Sequence, residues 1–268
     1  MKEEEISTLN YNFRYYFDHC IQEYHIQVIS HHFSNHKIEG LTVIDELGTS
    51  FSYEIDNPLT KRHFTLCHEL GHFILKHNGS HFTESVDNRE NIVEREANIF
   101  SAIILMPDIV LLSKIYYSCD LFQKIKEDLD VSSQALYFRL IDLLIVYQVS
   151  NESTIKEVVA EYLEGQNTSL RNYFHQIKET LIAEFNQYQI PLSARLKKKM
   201  KQTNFVTSQE LPELLDQSRW NKIREIKHFR VWLVYNKGKS LAYVWDSEKL
   251  SEIEARKKAN LQLLSMLD

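Results

Sequence analysis

His68, Glu69 and His72 form the pattern H-E-x-x-H inside the stretch from His63 to His77. On a helix, residues four apart are offset by about 40° and about one turn, so His68 and His72 can project their imidazoles from one face toward a single metal ion. Glu69 lies about 100° around from His68, which removes it from the ligand pair but leaves it near a water held on that metal. The chemistry on offer is zinc-assisted hydrolysis. A zinc ion with an open position lowers the pKa of a water to about 7, and a carboxylate beside it takes the water's proton during attack on a polarised carbonyl.

Such a site needs a third protein ligand, and residues 91–107 offer one. Read as a helix, this segment puts Glu94, Ala97, Asn98 and Ser101 on one narrow face, which is small-sided apart from Glu94 and so permits close helix approach. Glu96 groups instead with Ile92, Val93, Phe100 and Ile103 and is the weaker ligand candidate. Asn98, one turn after Glu94, is placed to orient one of the ligand histidines from behind. His77 lies about 140° around from His72 and reads as a surface histidine at a helix C-terminus. His81, on a polar loop over 78–88, has the freedom to approach the site and steady an oxyanion, but it is not counted among the site residues. Cys67 adjoins a ligand without sharing its face and reads as a small buried hydrophobe.

The helix that carries the first two ligands has a start at Asn57 (N-cap) and Pro58 (first helical position) and a stop at Asn78-Gly79. Its other positions, from Phe64 to Leu75, are apolar nearly all round, as expected of a central, buried helix. Gly71 costs about 1 kcal/mol in mid-helix relative to alanine, and close approach by another backbone would explain it. Upstream, a helix over 7–25 and strands at 26–29, 40–45 and 50–56, with a turn at Leu47-Gly48, predict a small antiparallel sheet. An edge of such a sheet can hold an extended peptide over the metal by main-chain hydrogen bonds.

Taken together, residues 63–72 and the block running from Glu94 to Ser101 and on to Leu105-Met106-Pro107 resemble the ImmA/IrrE family of zinc metallo-endopeptidases. The resemblance covers roughly residues 20–150. It implies a zincin-like core, His68, His72 and Glu94 as zinc ligands, and Glu69 as catalytic base. It also implies action on transcriptional regulators, often repressors of phages or mobile elements encoded beside the peptidase.

The rest of the chain sets limits on that reading. With 268 residues, 43% of them hydrophobic and 25% charged, the chain can bury one large core or two smaller ones, and 4 Pro and 6 Gly are too few for a disordered or fibrous protein. A formal charge of −6 argues against non-specific binding to nucleic acid or anionic membrane. No stretch approaches the ~18 apolar residues of a membrane span, and the acidic start has no apolar run behind it, so a cytoplasmic protein is expected. Three widely spaced cysteines suit reduced thiols.

After Pro107, segments 120–129 and 133–147 resemble a helix-turn-helix, with Ser132 as N-cap. The second helix carries a single cation, Arg139, where phosphate contact demands several, so packing or substrate docking is the preferred role. Helices at 152–163 and 170–187, a basic run at 195–201 read as a solvated face, a hairpin at 229–235 and 240–245, and a closing helix at 251–267 complete the chain. The expected fold is α+β: a zinc metallopeptidase domain over 1–150, ending in the helical pair, and an accessory α/β region over 151–268. The function expected is zinc-dependent endopeptidase action on a helix-turn-helix repressor or similar regulator. The rival is a zinc-binding regulator that antagonises its partner without proteolysis; a site that only binds zinc has no need of a base at Glu69. Direct nucleic-acid binding through 120–147 and the basic run is disfavoured by the low overall basicity.

Overall fold

The computed structural model describes residues 1–2, 6–33, 38–77, 81–85 and 92–266. Near the N-terminus the helix is shorter than the sequence pattern predicts: only Arg14–Glu23 (α1) is α-helical, burying Phe17 and Cys20. Ser7 and Asn12 divert the backbone before it, each accepting from the N–H two residues on, that of Leu9 at 3.3 Å and that of Arg14 at 2.9 Å.

Four strands follow, Gln27–His31 (β1), Ile38–Asp45 (β2), Gly48–Glu54 (β3) and, after the next helix, His81–Ser85 (β4). They form one sheet in the order β1-β3-β2-β4. The β2–β3 hairpin turns at Glu46-Leu47, with Asp45 paired to Gly48 and the Asp45 carboxylate accepting from the Leu47 N–H at 2.8 Å. Gly48, at φ +131°, adopts a conformation that a side chain would resist. Two expectations are corrected here. The sheet is mixed, because β1 lies parallel to β3, with Val28 opposite Phe51. Residues 81–85, read as part of a polar loop, pair antiparallel with β2 as an outer strand, and polar composition is what an edge strand tolerates. Polar residues of β3 are buried along with its apolar ones. Ser52 and Glu54 are as buried as Phe51, and the Glu54 carboxylate accepts from the backbone N–H groups of Phe33 (2.7 Å) and Asp56 (3.1 Å).

Helix α2 (Leu59–Ile74) starts with Pro58 rather than Asn57 as its N-cap, and it stops earlier than Asn78. Leu75 is the C-cap and Lys76 turns into the left-handed region at φ 55°. The helix buries a run from Cys67 to His72, as a central helix must. One side of it packs on β2 and β3, and the other on α3 (Ile92–Leu105). Gly71 is a point of close approach: a Cβ there would lie 3.2 Å from the Ala97 Cα and 3.2 Å from Phe100. The expected reason for a mid-helix glycine is therefore present in the fold.

Pro107 ends α3, and a chain of short helices follows: α4 (Asp108–Leu112), a π turn at Ser113–Tyr117, α5 (Phe122–Asp128), α6 (Ser133–Val146), α7 (Glu152–Leu163) and α8 (Thr168–Gln187). Ser132 caps α6 by accepting from the Ala135 N–H at 3.1 Å. Lys114, fully buried in the π turn, is neutralised by Asp128 at 2.6 Å. From α7 and α8, Ile155, Val159, Tyr162, Leu170 and Phe174 enter the same core as Leu70 and Leu105. The sequence reading divides the chain at 150, but by packing Ile6–Gln187 lies in the first compact unit, and the residues from Tyr188 on, with Lys2, form the second.

The second unit comprises α9 (Leu192–Gln202), β5 (Phe205–Thr207), α10 (Trp220–Arg224), β6 (Phe229–Asn236), β7 (Lys239–Asp246) and α11 (Glu252–Ser265). Its antiparallel sheet has the order β5-β7-β6, and Lys237 and Gly238, both at positive φ, make the tight hairpin turn. One face of the sheet packs with Leu196, Leu211 and Trp220, and the other with Ala255, Ala259 and Leu263 of α11. Within the basic run, Arg195 pairs with Glu213 and Lys199 with Glu210. Among the described residues no single helix is long and apolar enough to cross a membrane.

The Gly71 contact makes a prediction. In Gly71→Ala the gain of about 1 kcal/mol in helix propensity is outweighed by overpacking of about 1–3 kcal/mol, so thermal unfolding should occur at a lower temperature than in the wild type. An unchanged or raised midpoint would mean that α2 and α3 are not pressed together at this point.

Candidate metal centre

Helical spacing on α2 brings His68 and His72 onto one face, and the packing of α3 at Ala97 sets Glu94 opposite them. Ser101 fastens the two helices by donating to the Phe64 carbonyl at 2.9 Å. His68 Nε2, His72 Nε2 and Glu94 Oε2 form a triangle with sides of 3.0, 3.1 and 3.7 Å, and all three residues are buried. Ligand atoms around a tetrahedral zinc, bonded at 2.0–2.1 Å, stand about 3.3 Å apart. The triangle fits.

Hydrogen bonding behind the ring suits these atoms to a cation. His68 Nδ1 lies 2.9 Å from Asn98 Oδ1, an atom that only accepts, so this nitrogen carries the proton. Its Nε2, in the neutral ring, offers a bare lone pair. Burial, reinforced by the neighbouring imidazoles of His68 and His77, lowers the His72 pKa despite the Glu94 carboxylate and so favours its neutral ring. Burial opposes ionisation of Glu94, but the two imidazoles outweigh it and bring its carboxyl down to about 2. Its place in the first turn of α3 also favours negative charge. Two imidazole nitrogens and an anionic oxygen thus face one another out of water, a donor set that fits a divalent cation such as zinc.

Glu69 is fully buried on the sheet side of α2, where its Oε2 accepts from the Thr42 hydroxyl of β2 at 2.5 Å. Gly40, one pleat away, leaves room for it: a Cβ at that position would lie 2.5 Å from Glu69 Oε1. Neither Thr42 nor Gly40 was evident from the sequence; only the glycine, in an otherwise regular strand pattern, signals a close neighbour. Glu96 points away from the triangle, its side chain 56% exposed. His77 corrects the sequence reading: it is not at the surface, its side chain is 6% exposed, and its Nδ1 lies 2.8 Å from His72 Nδ1. His81 lies in β4, and its side chain is outside the described residues.

Residues 21–141, which contain every residue of this site, match the family model of Peptidase M78, the IrrE N-terminal-like domain. This segment belongs to the ImmA/IrrE family. Membership makes it a metallopeptidase domain and the α+β core around α2 its scaffold. No curated protein and no solved structure gives a significant match to the chain.

Two predictions follow from the geometry. His68→Ala, His72→Ala and Glu94→Ala should each lose most of one bound zinc per chain, measured by elemental analysis after dialysis, whereas Glu96→Ala should keep it. Zinc lost from Glu96→Ala and kept in Glu94→Ala would overturn the choice of third ligand. Gly40→Ala should retain zinc but displace the Glu69 carboxylate, lowering hydrolysis of a cleavable substrate by at least ~10-fold; full activity would show that Glu69 needs no such room.

Proposed function

We propose that the chain is a zinc-dependent endopeptidase that cleaves one specific cytosolic protein, a transcriptional repressor or similar regulator of a phage or mobile element. The observation that carries this reading is the pairing of a three-atom donor triangle with a buried carboxylate one residue after its first histidine on the same helix. His68, His72 and Glu94 hold the ion, and Asn98 fixes the His68 ring. Zinc, when bound, polarises the peptide carbonyl and acidifies a water. Glu69 accepts a proton from the attacking water and returns it to the leaving amine. Thr42 steadies that carboxylate by donating to its Oε2. Substrate lies extended along β4, the outer strand nearest α2, through main-chain hydrogen bonds.

A protein target is favoured over DNA by the surroundings of Arg139. The one cation of α6, the would-be recognition helix of the pair, is buried, donates to the Met106 carbonyl at 3.2 Å and is paired with Asp108, so it is unavailable to a phosphate. Cys20, Cys67 and Cys119 are free thiols, in keeping with a reducing compartment.

Co-expression with the helix-turn-helix regulators encoded nearest the gene tests this reading. Wild type should produce a discrete fragment of one regulator, and Glu69→Gln, with near-normal zinc content, should reduce fragment formation at least ~100-fold. Equal relief of repression by both proteins with no fragment would make the protein a zinc-binding antagonist. Digestion of many unrelated proteins would remove the single-partner part of the proposal.

A further inference from the structure

The two ligand histidines are not held alike. Asn98 fixes His68, but the corresponding nitrogen of His72 meets a second imidazole, and the backbone explains how it arrives there. Lys76, at φ 55°, reverses the chain so that the Lys76 N–H bonds the Phe73 carbonyl (3.3 Å) and the His77 N–H bonds the His72 carbonyl (3.1 Å). This is a Schellman end, which brings the residue two beyond the C-cap back over the last helical turn. A straight continuation of the helix would have carried His77 about 140° away from His72. The turn instead sets the two rings edge to face, with centroids 5.0 Å apart.

Donors and acceptors then fall into one sequence. His77 Nε2 lies 3.1 Å from the Glu96 carboxylate, which only accepts, so Nε2 carries the His77 proton. With its single proton there, the His77 ring presents Nδ1 as an acceptor to His72 Nδ1–H, 2.8 Å away. His72 Nε2 is left with its lone pair aimed at His68 Nε2 and Glu94 Oε2. Glu96 stands two residues from Glu94 on α3 and turns outward, so the same helix supplies a ligand on one face and the end of this relay on another.

We infer that His77, anchored by Glu96, is a positioning residue that sets the tautomer and ring orientation of His72 for metal binding. The inference rests on the reading of His68, His72 and Glu94 as zinc ligands. Without an acceptor at His72 Nδ1, the His72 proton can move to Nε2, and that tautomer has no lone pair for zinc. Partners of this kind typically contribute 10- to 100-fold in metal affinity.

The test is chelator competition for zinc. His77→Ala should raise the zinc Kd about 10- to 100-fold, and His77→Asn, whose side-chain oxygen can stand near the Nδ1 position, should recover most of the loss. Glu96→Gln retains an accepting oxygen and should remain within about 3-fold of wild type. Long-range nitrogen–proton correlation spectra of the wild-type zinc protein should show the His77 proton on Nε2 and none on Nδ1. Wild-type affinity in His77→Ala, or a His77 proton on Nδ1, overturns the inference while leaving the zinc reading intact. The tautomer measurement needs no variant, so it decides even if His77→Ala does not fold. Failure of the wild type to bind zinc at all would bring down the zinc reading and this inference together.

Discussion

Everything at this site depends on how closely α2 and α3 approach at Gly71 and Ala97. Two helices separated by ordinary side chains keep their axes 8–10 Å apart, and only small residues at the crossing bring backbones nearer. A hypothetical Cβ on Gly71 meets the Ala97 Cα at 3.2 Å, so the contact has no slack. That approach carries Glu94 to within 3.1 Å of His68 Nε2, and one turn further along it brings Asn98 behind the same ring. The helix-propensity cost of a mid-helix glycine is thus a condition for a three-residue ligand set drawn from two helices.

Close packing alone would leave the donor atoms in the wrong protonation states. Each imidazole has two nitrogens, and a ligand nitrogen is bare only when its partner is committed to a proton. Asn98 commits His68, and the Glu96–His77 pair commits His72, by chemistry that differs although the outcome is the same. On the opposite side of α2, Thr42 and Gly40 of β2 receive Glu69. One helix therefore presents ligands to a neighbouring helix and a carboxylate to a sheet, and burial on both sides keeps these polar groups in fixed directions.

The parts of this arrangement that follow from helical period were legible in the sequence. Spacing of four put His68 and His72 together, and the small-sided face of Ala97, Asn98 and Ser101 separated Glu94 from Glu96. Features that depend on long-range pairing or on unusual dihedrals were not. The Schellman turn is made by Lys76, a residue with no turn signature, where a glycine would have marked the spot. With the turn unseen, His77 read as a surface residue. β4 has no hydrophobic alternation to reveal it, since an edge strand can be polar, and the parallel pairing of β1 with β3 has no local signal. The segments 152–163 and 170–187 read as helices and are helical, but amphipathic spacing does not say which core a helix joins, and these two join the first.

X-ray absorption at the zinc edge of the purified protein tests the central claim most directly, because it reads the ligands without a substrate. Two histidines and a carboxylate predict a first shell of nitrogen and oxygen only, at about 2.0–2.1 Å, with the outer-ring scattering of two imidazoles. A zinc–sulfur shell at about 2.3 Å, which would point to a cysteine such as Cys67, or scattering from no imidazole, would contradict the site described here.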